Sequence, residues 1–425
     1  MKKNLLFSLI VFACIGCHKD IITPLPPSTN CYFGLCDTSK LEIVWQQPLS
    51  TDTSEWISAP PNIYNNTVLF TRSTFLASAD TLKFFDSKTG ALKSTWADYI
   101  SRHNSLPTLT IYPYKGRYFF TTGNDVFSID AQTNKTVWKT HLSIGTGFDW
   151  INVQDDYVYH VHQGNDIYNT SSYLVRSKLD VGKWDTVFVQ NKIDNYDPVG
   201  LQMPSVWISP KGDSVALFQI RYVEFGTTTS RNRTDFVAYN MTQKQTYFRM
   251  DSIDKFGTVQ LPYIAGNIAY VGFGSSVVCF DLINKNVKWK KNIDGGFGGA
   301  NAFMLIKDIL YVKPFNNTFY ALNPETSDEI WSDMNAGSGN YGMAYNDGVL
   351  YYSCDGSATI VALNLATRKK IWNEPSPNKY PNKFNGNRRF DNANIGTGGI
   401  TIDSTAGYLY TSDFYFAMCL KLPKK

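Results

Sequence analysis

His160 and His162 are the residues of this chain whose type and spacing come nearest to metal chemistry. In the run DYVYHVH they stand two apart, so a β-strand would turn both imidazoles to one face. Two imidazoles can begin a metal site, yet the sequence shows no third ligand. The 5 histidines and the many acids form no triad or dyad recognisable by spacing, and no Cys-x-x-Cys pair or Cys/His cluster has metal-site spacing. The pair is expected on a partly exposed strand face, holding no metal. Two glycine clusters, Gly295–Gly299 and Gly396–Gly399, superficially suggest phosphate loops. No helix-forming segment follows either, so the amide cradle and dipole of a phosphate site are missing. Their place ahead of apolar runs predicts crowded backbone instead, where a side chain would not fit. No catalytic residue is assigned.

Cysteine chemistry gathers near the start. The opening MKKNLLFSLIVFACIGC has a basic end (Lys2, Lys3), an apolar run from Leu5 to Ala13, and small residues before Cys17. That run is too short to cross a bilayer and reads as a secretory signal. Its end resembles the lipobox of bacterial lipoproteins: Gly16 and Cys17 match, while Cys14 stands where an aliphatic residue is usual. The resemblance implies that residues 1–16 are a signal peptide, that Cys17 is lipidated, and that the chain is exported to a bacterial cell envelope. An ordinary cleaved signal with an incidental Cys is the alternative. Nothing around His18 or Asp20 forces inner-membrane retention, so the outer membrane is the expected site, with lipid as the only membrane attachment. Residues 17–40 read as a flexible tether, extended by Pro24, Pro26 and Pro27. Within it Cys31 and Cys36 are close enough to form a small disulfide loop in an oxidising compartment. Cys279, Cys354 and Cys419 lie in apolar runs and read as small buried hydrophobes.

The elements that must position any site are strands. Aromatic residues are 15% of the chain and charged residues only 18%, a balance that suits packed β-structure. The formal charge of +4 makes no case for nucleic acid. One pattern recurs through the chain, an apolar alternating run that ends on Asp or Asn. It is anchored at Asp86, Asp130, Asp180, Asn240, Asp281, Asn323 and Asn364, with a period that settles near 42 residues. A buried aromatic follows each anchor: Trp96, Trp138, Phe188, Phe248, Trp289, Trp331 and Trp372. It falls eight positions on, except for Trp96, which falls ten on. The anchor side chain is suited to hydrogen-bond the amides of a hairpin turn, and the aromatic to bury itself on the return strand. A period of this size fits one four-stranded propeller blade.

The chain ends complete the count. The C-terminal strands stop at Lys421 with no returning Trp strand, and KLEIVWQQPL near the start carries Trp45 with no hairpin partner. Joining them predicts an all-β, eight-bladed β-propeller of four-stranded antiparallel blades. The ring would close where the N-terminal outer strand joins the C-terminal blade, which removes exposed sheet edges.

These repeats resemble the PQQ-like β-propeller family over residues 41–425. Blade four departs from it, because Ile208–Ile220 looks more like a TolB/WD40-type strand pair. The family holds quinoprotein dehydrogenases, which bind pyrroloquinoline quinone and calcium, and non-catalytic lipoproteins of the BamB type. The enzymes use adjacent cysteines beside the quinone, and this chain has no Cys-Cys pair. The resemblance therefore implies a non-catalytic, monomeric protein-interaction scaffold with an envelope protein as partner and with neither quinone nor calcium bound. Alternatives are a glycan- or peptide-binding propeller and, less favoured, a quinone-dependent enzyme. Blades differ most in two segments. An insertion, Asn373–Asn394, mixes Lys379, Lys383, Arg388 and Arg389 with Tyr380, Phe384 and Phe390, a composition interfaces favour. The extended hairpin Arg221–Phe236 is a second contact candidate.

Overall fold

In the computed structural model the chain is a closed ring of eight antiparallel blades, with no helix among the described residues. The structure describes residues 31–32, 35–36 and 40–423, apart from 50–54, 57–59, 75–80, 97–110, 123, 164–170, 225–230, 257–260, 294, 298–301, 339–341, 355–358, 377–398 and 414–415. Blades 1 to 7 occupy residues 55–96, 112–141, 146–190, 196–254, 263–292, 303–333 and 343–375. Each blade is an up-and-down meander, with strands a to d running from the channel outward.

Burial explains the sequence pattern strand by strand. Strands b and c are sandwiched between neighbouring blades on both faces. In blade 7 every residue of Val349–Cys354 is buried, and of Thr359–Asn364 all but the last. Outer strands pack on one side only, so Asn286–Asn292 of blade 5 alternates outward Lys with an inward Trp289. Cys279, Cys354 and Cys419 are buried, unbridged cysteines, and the Cys354 thiol donates to the Ala336 carbonyl at 2.9 Å.

Blade 8 is assembled from both chain regions. Ile43–Pro48 supplies its outer strand and pairs antiparallel with Phe416–Lys421, placing Trp45 opposite Cys419. The buried Trp45 indole donates to the Ser87 carbonyl of blade 1 at 2.8 Å. At the channel, the Thr401 hydroxyl donates to the Pro61 carbonyl. The ring is thus closed at its rim and at its axis.

The repeat motif is the joinery between blades. Asp86 Oδ1 accepts from the amides of Lys88 and Thr89, and Asp130 Oδ1 from those of Gln132 and Thr133. Asp281, Asn323 and Asn364 each accept from two turn amides in the same way, and Asn240 accepts from Gln243. Several aromatics then bond to the next blade: the Trp138 indole donates to the Leu179 carbonyl, the Trp289 indole to the Pro324 carbonyl, and the Trp96 indole to the Thr136 hydroxyl.

Blade 3 departs from the sequence alignment. The residue at its turn position is Lys178, which ends strand c (Ser172–Lys178), and whose carbonyl accepts from the Gly182 amide as Asp86 accepts from Gly90. Asp180 lies two residues further on, inside the turn. Phe188 is consequently ten positions after its anchor, as Trp96 is, and pairs across to Leu174.

Blade 4 is taller than the rest. Its strands Ser214–Glu224 and Arg231–Asn240 are 11 and 10 residues long. The inner position is filled by two pieces, Ser205–Ile208 beside the lower half and Tyr196–Leu201 beside the upper. The hairpin Arg221–Phe236 is therefore one part of a rising sheet.

Candidate functional site

Antiparallel meanders put the a–b and c–d turns on one face of the ring and the b–c and inter-blade connections on the other. The turn face carries a groove of about 460 Å³ between blades 2 and 3, within the roughly 300–1,000 Å³ of ligand clefts. In blade 2, Tyr112–Tyr114 ends in a tight turn with Lys115 and Gly116 at φ 46° and 78°, and Arg117 opens strand b, Arg117–Thr122. Two consecutive positive φ values match the twist of a two-residue hairpin. In blade 3 the equivalent turn presents Asp156 and Tyr157, and the c–d turn presents Lys178, Leu179 and Asp180.

Buried Phe119 and Leu179 form the floor of the groove, and Tyr114 and Tyr157 stand at its sides. Arg117 Nη1 donates to the Leu179 carbonyl at 2.8 Å and grazes that of Asp180 at 3.5 Å. Lys115 pairs with Asp156 at 2.8 Å and lies over the Tyr114 ring. That hydrogen bond holds the Lys115 ammonium above its usual range. The Arg176 guanidinium covers Tyr157 at 4.4 Å and is itself held by Asp185. Among the described residues, Nε and Nη2 of Arg117 and the Lys178 ammonium have no hydrogen-bond partner, although the Arg117 charge also acts on Asp130 across the strand pair. The groove thus offers fixed, cationic hydrogen-bond donors over an apolar floor.

Gly182 sets the local geometry. A Cβ there would collide with Thr140 Oγ1 and meet the Trp138 ring at 2.7 Å, and its φ is +68°, in the left-handed region, as is that of Gly90 at the matching turn of blade 1 (+72°). Glycine lets the turn close onto the preceding blade.

A second polar cluster rises on the other face, in the blade 4 extension. Buried Asp235 is held by Arg233 at 2.9 Å, by Arg249, and by the Ser252 amide at 2.8 Å. Arg249 also donates to the Tyr222 hydroxyl at 2.7 Å and to Gln190 of blade 3 at 3.1 Å. Burial works to raise the Asp235 carboxyl, but these donors outweigh it and hold it below its usual range. Lys313, also buried, donates to the carbonyls of Pro314 and Asn316, and burial pushes its ammonium down to about 8.

The histidines are not on an exposed face. Tyr157–Gln163 is strand b of blade 3, enclosed on both sides, so His160 and His162 are 0% and 1% exposed. His160 Nδ1 lies 3.0 Å from His162 Nε2, and its Nε2 lies 3.2 Å from Ser177 Oγ. Among the described residues no group of three or more His, Cys, Asp or Glu is arranged to hold a metal. Of the glycine clusters, Gly295 is crowded: a Cβ would sit 2.9 Å from the Asn316 amide nitrogen.

Cys17 and the loop residues Lys379, Tyr380, Lys383, Phe384, Arg388, Arg389 and Phe390 lie outside the described residues. The backbones of Cys31 and Cys36 pair directly across a two-stranded hairpin. The groove residues escaped the sequence reading because Arg117 and Leu179 stand 62 positions apart. The one available signal was place: each sits at a blade turn.

No family model matches the chain, and no curated protein matches it in sequence. Solved structures show what the architecture is, an eight-bladed β-propeller like that of BamB and of PQQ-dependent dehydrogenases. BamB from Moraxella catarrhalis is 10% identical with a TM-score of 0.56, covering 90% of this chain and 100% of its own. Quinohemoprotein alcohol dehydrogenase ADHIIG from Pseudomonas putida HK5 is 12% identical with a TM-score of 0.60, over 91% and 77%. Saccharomyces cerevisiae Sqt1 is 9% identical with a TM-score of 0.61, over 91% and 100%. At such identities the likeness is one of fold.

Proposed function

We propose that this chain is a non-catalytic protein-interaction scaffold of a bacterial cell envelope, with the groove between blades 2 and 3 as a contact surface for a partner protein. One observation carries the reading. The repeat's Trp and Asp residues are used up in joining blades, whereas Arg117, Lys178 and the flanking tyrosines present donors and rings outward. Aromatic residues and Arg over an apolar floor are the composition of interface hot spots. The fold shared with BamB supports the reading. Lipid at Cys17 holds the propeller to the outer membrane, and Cys31 and Cys36 close a disulfide in the tether. The protein works as a monomer without quinone or calcium.

The test is a photo-crosslinker placed at Val181, 60% exposed beside Asp180, in the full-length chain in cells. A discrete adduct with one envelope protein is expected. A pattern identical to that from Met334, 75% exposed at the end of blade 6, would sink the assignment of this face. Palmitate labelling lost in Cys17→Ala supports the anchor, and labelling that survives overturns it.

The likeness to quinohemoprotein alcohol dehydrogenase favours a second reading, a quinone-dependent enzyme. Dye-linked alcohol oxidation by purified protein with calcium and pyrroloquinoline quinone would establish it in place of the scaffold. No turnover is expected.

A further inference from the structure

Resting on the scaffold reading, we infer that the groove between blades 2 and 3 takes an extended peptide segment whose carboxylate is gripped by Arg117 and Lys178 while an adjacent apolar side chain lies on Phe119 and Leu179. The commitment to a carboxylate comes from the charges that remain after internal pairing. Asp156 pairs with Lys115, and Asp130, opposite Arg117 on the adjacent strand, is held below its usual range by hydrogen bonds from Thr133 and Gln132 and by the Arg117 charge. Arg117, which also faces Asp130, and Lys178 remain as the cations with hydrogen-bond donors still open, set against Asp180.

The geometry of Arg117 suits the task. Its Nη1 is committed to the Leu179 carbonyl, which leaves Nε–H and Nη2–H, the side-on pair that receives both oxygens of a carboxylate. Anchoring by a neighbouring blade also fixes the guanidinium in advance, which lowers the ordering cost of binding. A free inorganic anion would leave the buried Phe119 and Leu179 floor unused, whereas a peptide covers it. Asp156 and Asp180 on the rim disfavour a polyphosphate chain, as does a net charge of only +4. Tyr114 and Tyr157 give a flexible segment flat, rigid surfaces on either side.

The inference is tested on the full-length protein with a fluorescein-labelled heptapeptide centred on Phe-Asp-Phe, read by anisotropy. Binding should weaken at least tenfold when the central Asp is replaced by Asn, and weaken steadily with added salt. Lys178→Glu, an exposed turn residue whose change leaves the fold intact, should cost a similar factor and should accept a Phe-Lys-Phe peptide instead. Arg117→Gln should abolish binding, and its circular dichroism separates a lost grip from a lost fold. Equal binding of the Asp and Asn peptides, or an unchanged affinity in Lys178→Glu, overturns the proposal. Displacement of the peptide by millimolar inorganic phosphate as effectively as by unlabelled peptide also overturns it. Comparing C-terminally free and amidated acidic peptides tells a chain-terminal carboxylate from an internal Asp or Glu, and either preference supports the shared chemistry. The two readings fail separately. A Val181 adduct with no preference for acidic peptide leaves the scaffold standing without this ligand class, and tight acidic-peptide binding with no adduct does the reverse.

Discussion

Arg117 of blade 2 donates to the carbonyl of Leu179 in blade 3 at 2.8 Å, and that same carbonyl receives the Trp138 indole at 2.9 Å. Two donors from one blade converge on one acceptor of the next. The contact is both a seam of the ring and the support for a guanidinium at the groove. Arg117→Met leaves the indole in place, so stability should fall by about 1.5–3 kcal/mol, the net worth of one charged hydrogen bond. Lys178→Met, which breaks no internal contact, should stay within about 0.5 kcal/mol. Urea denaturation of both variants checks the pair, and equal losses would mean that Arg117 supports nothing.

Ring closure depends on Trp45. It is 7% exposed, donates to Ser87, and packs against Phe70, Phe85 and Tyr410. Trp45→Ala should cost about 3–5 kcal/mol and expose the blade 8 seam to protease. A proteolysis pattern unchanged from wild type would show that the outer strand is dispensable.

The His160–His162 pair makes the fold sensitive to acid. Burial holds His162 down at about 4 and His160 well below its ordinary value of 6.5, so both imidazoles are neutral in the folded protein. The unfolded chain takes up these protons below about pH 6.5. Stability is therefore complete above that value and falls as pH drops toward 4, by about 3 kcal/mol for His162 at about 1.4 kcal/mol per unit. Midpoints of urea unfolding measured from pH 7.5 to 4.5 should slope accordingly, and His162→Gln should flatten the slope. A variant whose slope equals that of wild type would remove the pair from the explanation.

Gly182 and Gly212 both have positive φ, +68° and +83°, but only Gly182 is crowded, while Gly212 has no atom within 4 Å of the Cβ position. Gly212→Ala should cost about 1 kcal/mol from backbone strain alone. Gly182→Ala must also displace Trp138 and should cost about 1–3 kcal/mol more. Thermal unfolding of the two variants gives the ordering directly.

Asp235 stands between two arginines with no water-facing surface. Asp235→Ala leaves both guanidinium groups without their shared partner and should destabilise by about 3–5 kcal/mol. Arg233→Ala should cost less, because Arg249 and the Ser252 amide still hold the carboxylate. Chemical denaturation of the two variants checks this order, and a reversed order would relocate the support of the blade 4 extension.

The ring was legible because its joinery recurs. An Asp or Asn that caps a turn and a Trp that packs on the next blade are local needs, repeated at a fixed period, and the incomplete copies at Trp45 and Lys421 disclosed the closure. Blade 3 misled the alignment because its turn position holds Lys178, whose backbone alone makes the required hydrogen bonds, while Asp180 nearby offered a deceptive match. The histidines were misplaced for a related reason: alternation shows which residues share a face, but not whether another blade covers it. The groove could not be read at all. Tyr114, Arg117, Tyr157 and Lys178 belong to three turns of two blades and meet only because the ring sets those blades side by side.

The blade built from both chain regions also sets an order of events. The strand Ile43–Pro48 is synthesised long before its pairing partner, Phe416–Lys421. Until then the first strand waits with an open backbone edge, and seven finished blades have no final seam. Closure joins the longest sequence separation among the described strand pairs, the class of contact that forms most slowly. During that wait the open edge is a target for wrong partners, including another copy of the same chain. A cell that makes this protein therefore has to guard Ile43–Pro48 until Phe416–Lys421 appears.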